Sequence, residues 1–326
     1  MKPSKRNTLR QHTEALLNRS DVTLGGIVRE IEEILSTRNN DTIEGIDETL
    51  HILPPHIPRF VWNALGNCVM EKENSMNMIE VDGSCWISLR LDGNGFRKKV
   101  AALRKAGLLE ATGYPQRVAE AMKVCLLTLM NKTSAKVGFT HSDEIIVFLP
   151  PTKVIDGERL PHVHKGRTQK LITLAAGLVS SCFALTMAGQ ILNGHTANDD
   201  DPSNHEVTPT RNHATRVLET LSELSPCFDC RLGVYKTWVE ARGLLLWRAH
   251  DCAINGVSDA VHYSLNNQPQ QTNLNTREKL KWLLGEGMLP LPRNQAYGVL
   301  MVRTKKLKTI DSPVLEWMVE GSLLIE

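Results

Sequence analysis

Two short acidic motifs carry the chemistry this sequence could do. Asp92-Gly93-Asn94-Gly95 follows a run, Trp86 to Leu91, that alternates as a strand should. His141-Ser142-Asp143-Glu144 is a polar turn between two short strand-like runs, Val137–Thr140 and Ile145–Leu149. Carboxylates at adjacent strand ends make a site for hard divalent cations. Mg2+ is usually held by one or two carboxylates together with substrate phosphates, not by an all-protein cage. A pair of such ions stabilises both the attacking and the leaving oxygen of a phosphoryl transfer. Gly93 permits a sharp turn that presents a backbone carbonyl or amides to a metal or a phosphate. The same residues also read as two solvated turns, and only their placement on neighbouring strands separates the two readings.

That placement follows from the elements that must carry the motifs. A helix is predicted after Pro115, with Val118, Met122, Cys125, Leu126 and Leu129 on one face. A long helix is predicted from about Arg167 to Gln190, and another before Cys227. Phe228 to Tyr235 reads as a strand and Val239 to His250 as a helix. The order strand, helix, strand, strand, helix, strand is the split βαβ pattern of an α+β, ferredoxin-like sheet. Right-handed crossovers there make the first and third strands central neighbours. Asp92 and Asp143 then meet on one edge of the sheet.

Composition sets the outer limits. Hydrophobic residues make up 41% and charged residues 23% of the 326, which excludes a disordered or fibrous chain. A net charge of +2 excludes a polycation that binds nucleic acid by total charge. Local basic clusters remain: Arg97, Lys98, Lys99, Arg104 and Lys105; Lys165, Arg167 and Lys170; Arg303, Lys305, Lys306 and Lys308. The first two are expected to flank the acidic turns and to neutralise phosphates. Seven scattered cysteines point to a reducing compartment. A cytoplasmic location is expected, with a mitochondrial one as the alternative, because Lys2, Lys5, Arg6 and Arg10 open the chain without an acid among them. Leu171–Leu192 is uncharged and long enough to span a bilayer, but Thr173, Ser180, Ser181, Thr186 and Gln190 dilute it. A buried core helix is expected there, and no membrane partner. His162 and His164 sit in a Pro-flanked loop and are expected to be solvated.

Five motifs in order resemble those of the tRNA-histidine guanylyltransferases, the 3′-to-5′ RNA polymerases. Asp92-Gly93-Asn94-Gly95-Phe96 resembles their Asp-Gly-x-x-Phe, and Ser142-Asp143-Glu144 their Ser-Asp-Glu turn. Arg167-Thr168-Gln169-Lys170 resembles the Arg-x-x-Lys that opens their next helix, where Ser180 and Ser181 match a small polar pair. Phe228-Asp229-Cys230-Arg231 resembles Phe-Asp-x-Arg. The segment from Trp247 to Gly256 resembles Trp-Arg-x-x-Asp-Cys-His-x-Asn-Asn, with Ala253 and Gly256 in place of the histidine and the last asparagine. The resemblance runs from about Cys85 to Met301.

The resemblance implies a polymerase-like palm of ferredoxin type with helical additions, two Mg2+ ions, and ATP and GTP as substrates. It implies that nucleotides are added to the 5′ end of tRNA or a related RNA, and that the protein is a homo-oligomer, commonly a tetramer. Residues 81–260 would be the palm catalytic domain, 261–326 its C-terminal part, and 1–80 a partly helical N-terminal extension. By position, Asp92, Asp143 and Glu144 would be the catalytic acids, with Asp92, Gly93 and Asp143 on the metals. Asn94, Gly95, Phe96, Ser142, Arg167 and Lys170 would bind nucleotide. Arg167 and Lys170, at i and i+3 near a helix N-terminus, suit a triphosphate. Arg248, Asp251 and Asn255 share a helix face and would touch RNA or a second nucleotide. The family's Lys-Pro-Asn-Asp run is replaced by Tyr114-Pro115-Gln116-Arg117, for which Arg117 or Lys105 would stand in. With Ala253 and Gly256, this departure shifts the expectation from obligate G addition to templated 5′-end repair. The rival readings are a non-catalytic RNA-binding homologue and a nucleotide cyclase-like enzyme.

Overall fold

The computed structural model describes residues 23–36, 59–74, 80–110, 113–194, 211–264, 273–304 and 307–310. Two helices come first, α1 (Leu24–Ser36) and α2 (Arg59–Asn74). Strand β1 (Trp86–Gly93) then turns at Asp92 into α3 (Phe96–Lys105) and α4 (Gln116–Thr133). A hairpin of β2 (Val137–His141) and β3 (Glu144–Leu149) follows, and then the two-residue strands β4 (Val154–Ile155) and β5 (Glu158–Arg159). Helices α5 (Thr168–Gly194) and α6 (Arg211–Leu224) precede β6 (Phe228–Tyr235). The chain continues through α7 (Trp238–Ser264), α8 (Thr276–Gly285), α9 (Arg293–Tyr297), β7 (Val299–Arg303) and β8 (Leu307–Ile310).

The main sheet has the order β6-β1-β3-β2-β7-β8, with every neighbouring pair antiparallel. Its first four strands are in the predicted ferredoxin-like order, so the fold is α+β with β1 and β3 central. Strands β7 and β8, which the sequence reading did not name, lengthen the sheet beyond β2. Alternation sorts β1 between two cores. Ile87, Leu89 and Leu91 pack among α3, α4, α5 and α6, while Trp86 joins α1, α2 and α7 on the other face. Each fully buried aliphatic side chain contributes about 1.5–3 kcal/mol, so these two layers hold the sheet flanked by helices.

Four features differ from expectation. The basic cluster Arg97–Lys105 forms a helix, α3, with Phe96, Val100 and Leu103 buried at helical spacing. Helix α5 is not wholly buried. Leu171, Ala175, Val179, Phe183, Met187 and Ile191, four residues apart, face the core, while Leu174 and Leu185 are 46% and 73% exposed. Its Thr168–Asn193 stretch is long and apolar enough to cross a membrane by composition, but one side is sheet core. His162 is buried, not solvated, with its Nε2 hydrogen-bonded to the Cys85 carbonyl at 3.0 Å. The N-terminal region contributes α1 and α2 to the same core as β1 and α7. The basic opening residues, and Lys305 and Lys306 of the third basic cluster, lie outside the described residues.

Candidate active site

The strand register brings the two acidic motifs together. Asp92 is directly opposite Glu144 on β3 and Asp229 on β6, so three carboxylate residues form a row across one face. The β2–β3 hairpin turns through Ser142 and Asp143, with Ser142 at a left-handed φ of 52°. For a residue with a Cβ that conformation costs about 1–2 kcal/mol, strain of the kind found where a turn must aim a functional group. The Gly93 amide donates to the Asp143 carbonyl at 3.0 Å, and the Asn94 amide to the Cys227 carbonyl at 2.9 Å. These bonds fix Asp92 and Asp143 at one edge, as predicted.

Phe96 is a correction. It does not reach toward a nucleotide but is buried beneath the turn, its ring centroid 5.0 Å from that of Phe183 and 4.9 Å from that of Phe228. A Cβ on Gly93 would lie 2.4 Å from this ring, so glycine is required there by packing. Ser180 of α5 completes the support by accepting from the Phe228 amide at 3.0 Å.

The electrostatics separate the acids. Burial first, and the Asp92 charge second, push the Asp143 carboxyl up to about 6. Among the described residues neither Asp92 nor Asp143 is in a salt bridge. Glu144 differs. It is buried, and Arg248 holds both of its oxygens, Nε to Oε1 at 2.8 Å and Nη2 to Oε2 at 2.7 Å. Glu144 therefore supports the edge and has no oxygen free of the arginine, a correction to its reading as a reacting acid. No group of three His, Cys, Asp or Glu at ligand distance occurs among the described residues. Two close carboxylates without a counter-charge fit Mg2+, which takes its remaining ligands from phosphate and water.

Phosphate chemistry is available beside them. Gly95, at φ 66°, starts α3 immediately after the Asp92 turn. Its first turn carries Arg97, Lys98 and Lys99 and no acid. Cations at the positive end of a helix dipole are unfavourable unless an anion binds there. Lys99 is engaged with the Ser225 carbonyl at 3.1 Å, while Lys98 is exposed and Arg97 makes only a 4.0 Å contact with Asp259. Asn94 and Gly95 are exposed at this end, and Ser142 is half-buried in the hairpin turn.

Arg167 and Lys170 are not brought to this edge. Arg167 bridges to Glu80, before the start of β1, whereas Asp92 is near its end. About 20 Å of strand lies between the two ends. The second basic cluster therefore does not flank the carboxylates within one chain.

Helix α7 crosses the edge with the third set. Arg248 is committed to Glu144 and, through Nη1, to Asp251 at 2.9 Å, so it is not open to RNA. Asp251 is half-exposed and Asn255 exposed. Asp259, one turn on, was missed by sequence reading although it continues the i, i+4 series from Asp251 and Asn255. Burial raises its carboxyl above the usual range, and its charge acts on Asp143. Asp229, of the Phe-Asp-x-Arg motif, is paired with Arg231 at 3.8 Å.

Ala253 and Gly256 lie on the other side of α7, both buried. A Cβ on Gly256 would lie 2.5 Å from the Gln295 carbonyl oxygen of α9. Gly256 is therefore packed against the C-terminal segment and Ala253 is in the interior, so neither departure from the family pattern removes a polar group from the exposed Asn255 face. Gly256→Asn is expected to destabilise the fold by about 1–3 kcal/mol, the range for overpacking, as measured by urea unfolding. A variant as stable as wild type would show that α9 yields at this contact.

Known proteins resemble this chain in sequence and in fold. A family model for tRNAHis guanylyltransferase matches residues 69–236. An uncharacterized protein of Acanthamoeba polyphaga mimivirus is 24% identical over 245 residues, 71% of this chain and 74% of its own. A bacterial tRNA(His) guanylyltransferase-like protein in complex with ATP superposes with a TM-score of 0.56 at 17% identity, covering 80% of this chain and 99% of that one. The tRNA(His) guanylyltransferase of Saccharomyces cerevisiae gives 0.51 at 18% identity, covering 76% and 97%. At these identities the two structures speak for a shared palm-type fold.

Proposed function

Because the chain belongs to the tRNAHis guanylyltransferase family, a family of nucleotidyltransferases, we propose that it adds nucleotides in the 3′-to-5′ direction to the 5′ end of tRNA. The observation that carries this reading is the placement of Asp92 and Asp143 at one sheet edge beside the N-terminus of α3, set by the Asp92–Glu144 register and by the Gly93 amide donating to the Asp143 carbonyl. Asp92, Asp143 and the Gly93 carbonyl would hold Mg2+, which when bound neutralises charge on phosphoryl oxygens. The α3 amides, Arg97 and Lys98 bind the triphosphate, and Asp251 and Asn255 border the site from α7. The 3′-hydroxyl of the incoming nucleotide attacks the 5′ phosphorus of a triphosphate end, or of a monophosphate end adenylylated by ATP; the bond to pyrophosphate or AMP breaks, and the hydroxyl proton passes to water. ATP and GTP are the substrates, ATP being the ligand of the bacterial relative.

Base choice is proposed to come from pairing with an opposing template nucleotide, as in 5′-end repair. Arg117, the candidate stand-in for the family's lysine, is drawn to Glu110 at 3.6 Å and to the Leu108 carbonyl, and Gln116 donates to Glu120 at 2.9 Å. These side chains are engaged within the protein, which favours a template over direct reading of guanine. The test uses two 5′-truncated tRNAs that differ only in the opposing base. The added nucleotide should follow that base; equal addition of G to both, with other nucleotides refused, would overturn templating. Self-association into a tetramer belongs to the same reading, supported by the exposed Leu174 and Leu185 on α5. Seven free cysteines favour a cytoplasmic location.

Cation binding should depend on pH through Asp143. Its carboxyl, held up to about 6, keeps a proton that a cation must displace. The raised value means that the cation-free fold loses this group's contribution as pH rises through that range. Bound cation reverses the preference. Mg2+ affinity should therefore fall by up to about tenfold per unit below that value and level off above it. Calorimetry across this range checks it, and a flat profile would remove Asp143 from the ligand set.

A further inference from the structure

On the α2 and α7 side of the sheet, behind the carboxylate edge, lies a set of charges that the reaction itself does not use. Arg90, buried two residues before Asp92 on the same face of β1, donates to Glu73 of α2 through Nε to Oε1 at 3.1 Å and Nη2 to Oε2 at 2.8 Å. Arg248 of α7 grips Glu144 in the same bidentate way. The Trp247 ring links the two pairs, with Arg90 Cζ 5.7 Å and Arg248 Cζ 5.1 Å from its centroid. Gly66 of α2 admits this indole, since a Cβ there would lie 3.1 Å from it. Two arginines and two glutamates, each side chain at most 16% exposed, are thus sorted into two pairs.

The strands alone do not force this sorting. Arg90 is opposite Ile146, two residues from Glu144, so Arg90 and Glu144 are diagonal neighbours on one face. A long side chain reaches across that spacing. Both Glu73 and Glu144 act on Arg90 electrostatically. Without Glu73, Arg90 would be a buried cation with no partner of its own, which is strongly unfavourable. Glu144 is the carboxylate it could take, and Arg248 would then lose the contact that ties α7 to the Asp92 edge.

We propose that Glu73, from the N-terminal helix α2, is a positioning residue for nucleotide addition: by holding Arg90 it leaves Glu144 to Arg248 and keeps the Asp251–Asn255 face of α7 seated beside Asp92 and Asp143. The inference rests on the proposed reaction for its activity readout, and on the ion pairs alone for its spectroscopic one. It also gives α2 a role beyond packing.

The test compares the full chain as wild type, E73Q and the double variant E73Q/R90Q. Nucleotide addition per folded molecule is measured well below each melting temperature, and the Arg248 Nε–H resonance is followed by arginine side-chain NMR. E73Q should lose about tenfold to a hundredfold in turnover, the scale of a displaced catalytic geometry, and shift the Arg248 resonance. The double variant, with no buried charge left over, should recover to within about threefold and return the resonance. A purely structural role would lower the melting temperatures but leave turnover per folded molecule and the resonance unchanged in E73Q, and that result overturns the proposal. Should E73Q not fold, E73D decides, since it keeps the charge but not the bidentate reach to Arg90: a shifted Arg248 resonance supports the sorting, and an unchanged one overturns it. Should wild type add no nucleotide, the reaction reading fails by itself, and the resonance still decides whether Glu73 sets the Arg248–Glu144 pair.

Discussion

Asp143→Asn should lower nucleotide addition by about 10³-fold, the equivalent of roughly 4 kcal/mol of transition-state stabilisation, while the fold persists. The carboxylate sits in a two-residue turn between β2 and β3 and is in no salt bridge among the described residues. Its backbone carbonyl, which receives the Gly93 amide, is untouched by the substitution. Asparagine also removes the repulsion between Asp92 and a buried neighbouring charge, so the variant should be no less stable than wild type. Activity is measured on a 5′-truncated tRNA and stability by urea unfolding. Near-normal addition by the variant would show that the chemistry is elsewhere.

Arg248→Met should have the largest effect on stability, a loss of about 3–5 kcal/mol, the range for breaking a buried pair on one side. Glu144 is 5% exposed, and Arg248 holds both its oxygens. Methionine leaves that carboxylate in the core with no bidentate partner. Glu144 would then take up a proton at a higher pH than before, because burial already raises it and the arginine is the chief influence holding it down. Adding Glu144→Gln to Arg248→Met should recover much of the loss, since no charge then needs a partner. Denaturant unfolding of both variants checks this; a single variant within about 1 kcal/mol of wild type would mean that the pair is not a stability element.

Much of the palm was legible because its signals are local. Alternation gave β1, apolar runs gave β2 and β3, and the order of elements placed Asp92 beside Asp143. Other features depend on contacts that spacing does not reveal. Arg167 and Lys170 have the residue types and helix position for triphosphate, but β3 runs away from the Asp92 edge, so the next helix begins at the far end. Phe96 belongs to the motif that resembles the family's, yet its ring fills the space under Gly93. Ala253 and Gly256 read as lost contacts, yet both are buried and α9 is packed against Gly256. Glu73 lies seventeen residues before Arg90, and only the α2 packing brings the two together. Asp259 was within reach of the sequence, one helical turn beyond Asn255, but needed α7 to continue to Ser264.

If the Asp92–Asp143 edge transfers nucleotides to a 5′ end, as proposed, the protein must lengthen that end of an RNA. The most direct measurement is incubation of the full chain with Mg2+, each nucleoside triphosphate and a tRNA of defined 5′ end, followed by sizing of the products and mapping of the end that has grown. Growth at the 5′ end, lost when the divalent ion is chelated and lost in Asp92→Asn, is the predicted result. No growth with any nucleotide, or growth confined to the 3′ end, would mean that this edge does not carry out 5′ nucleotide addition.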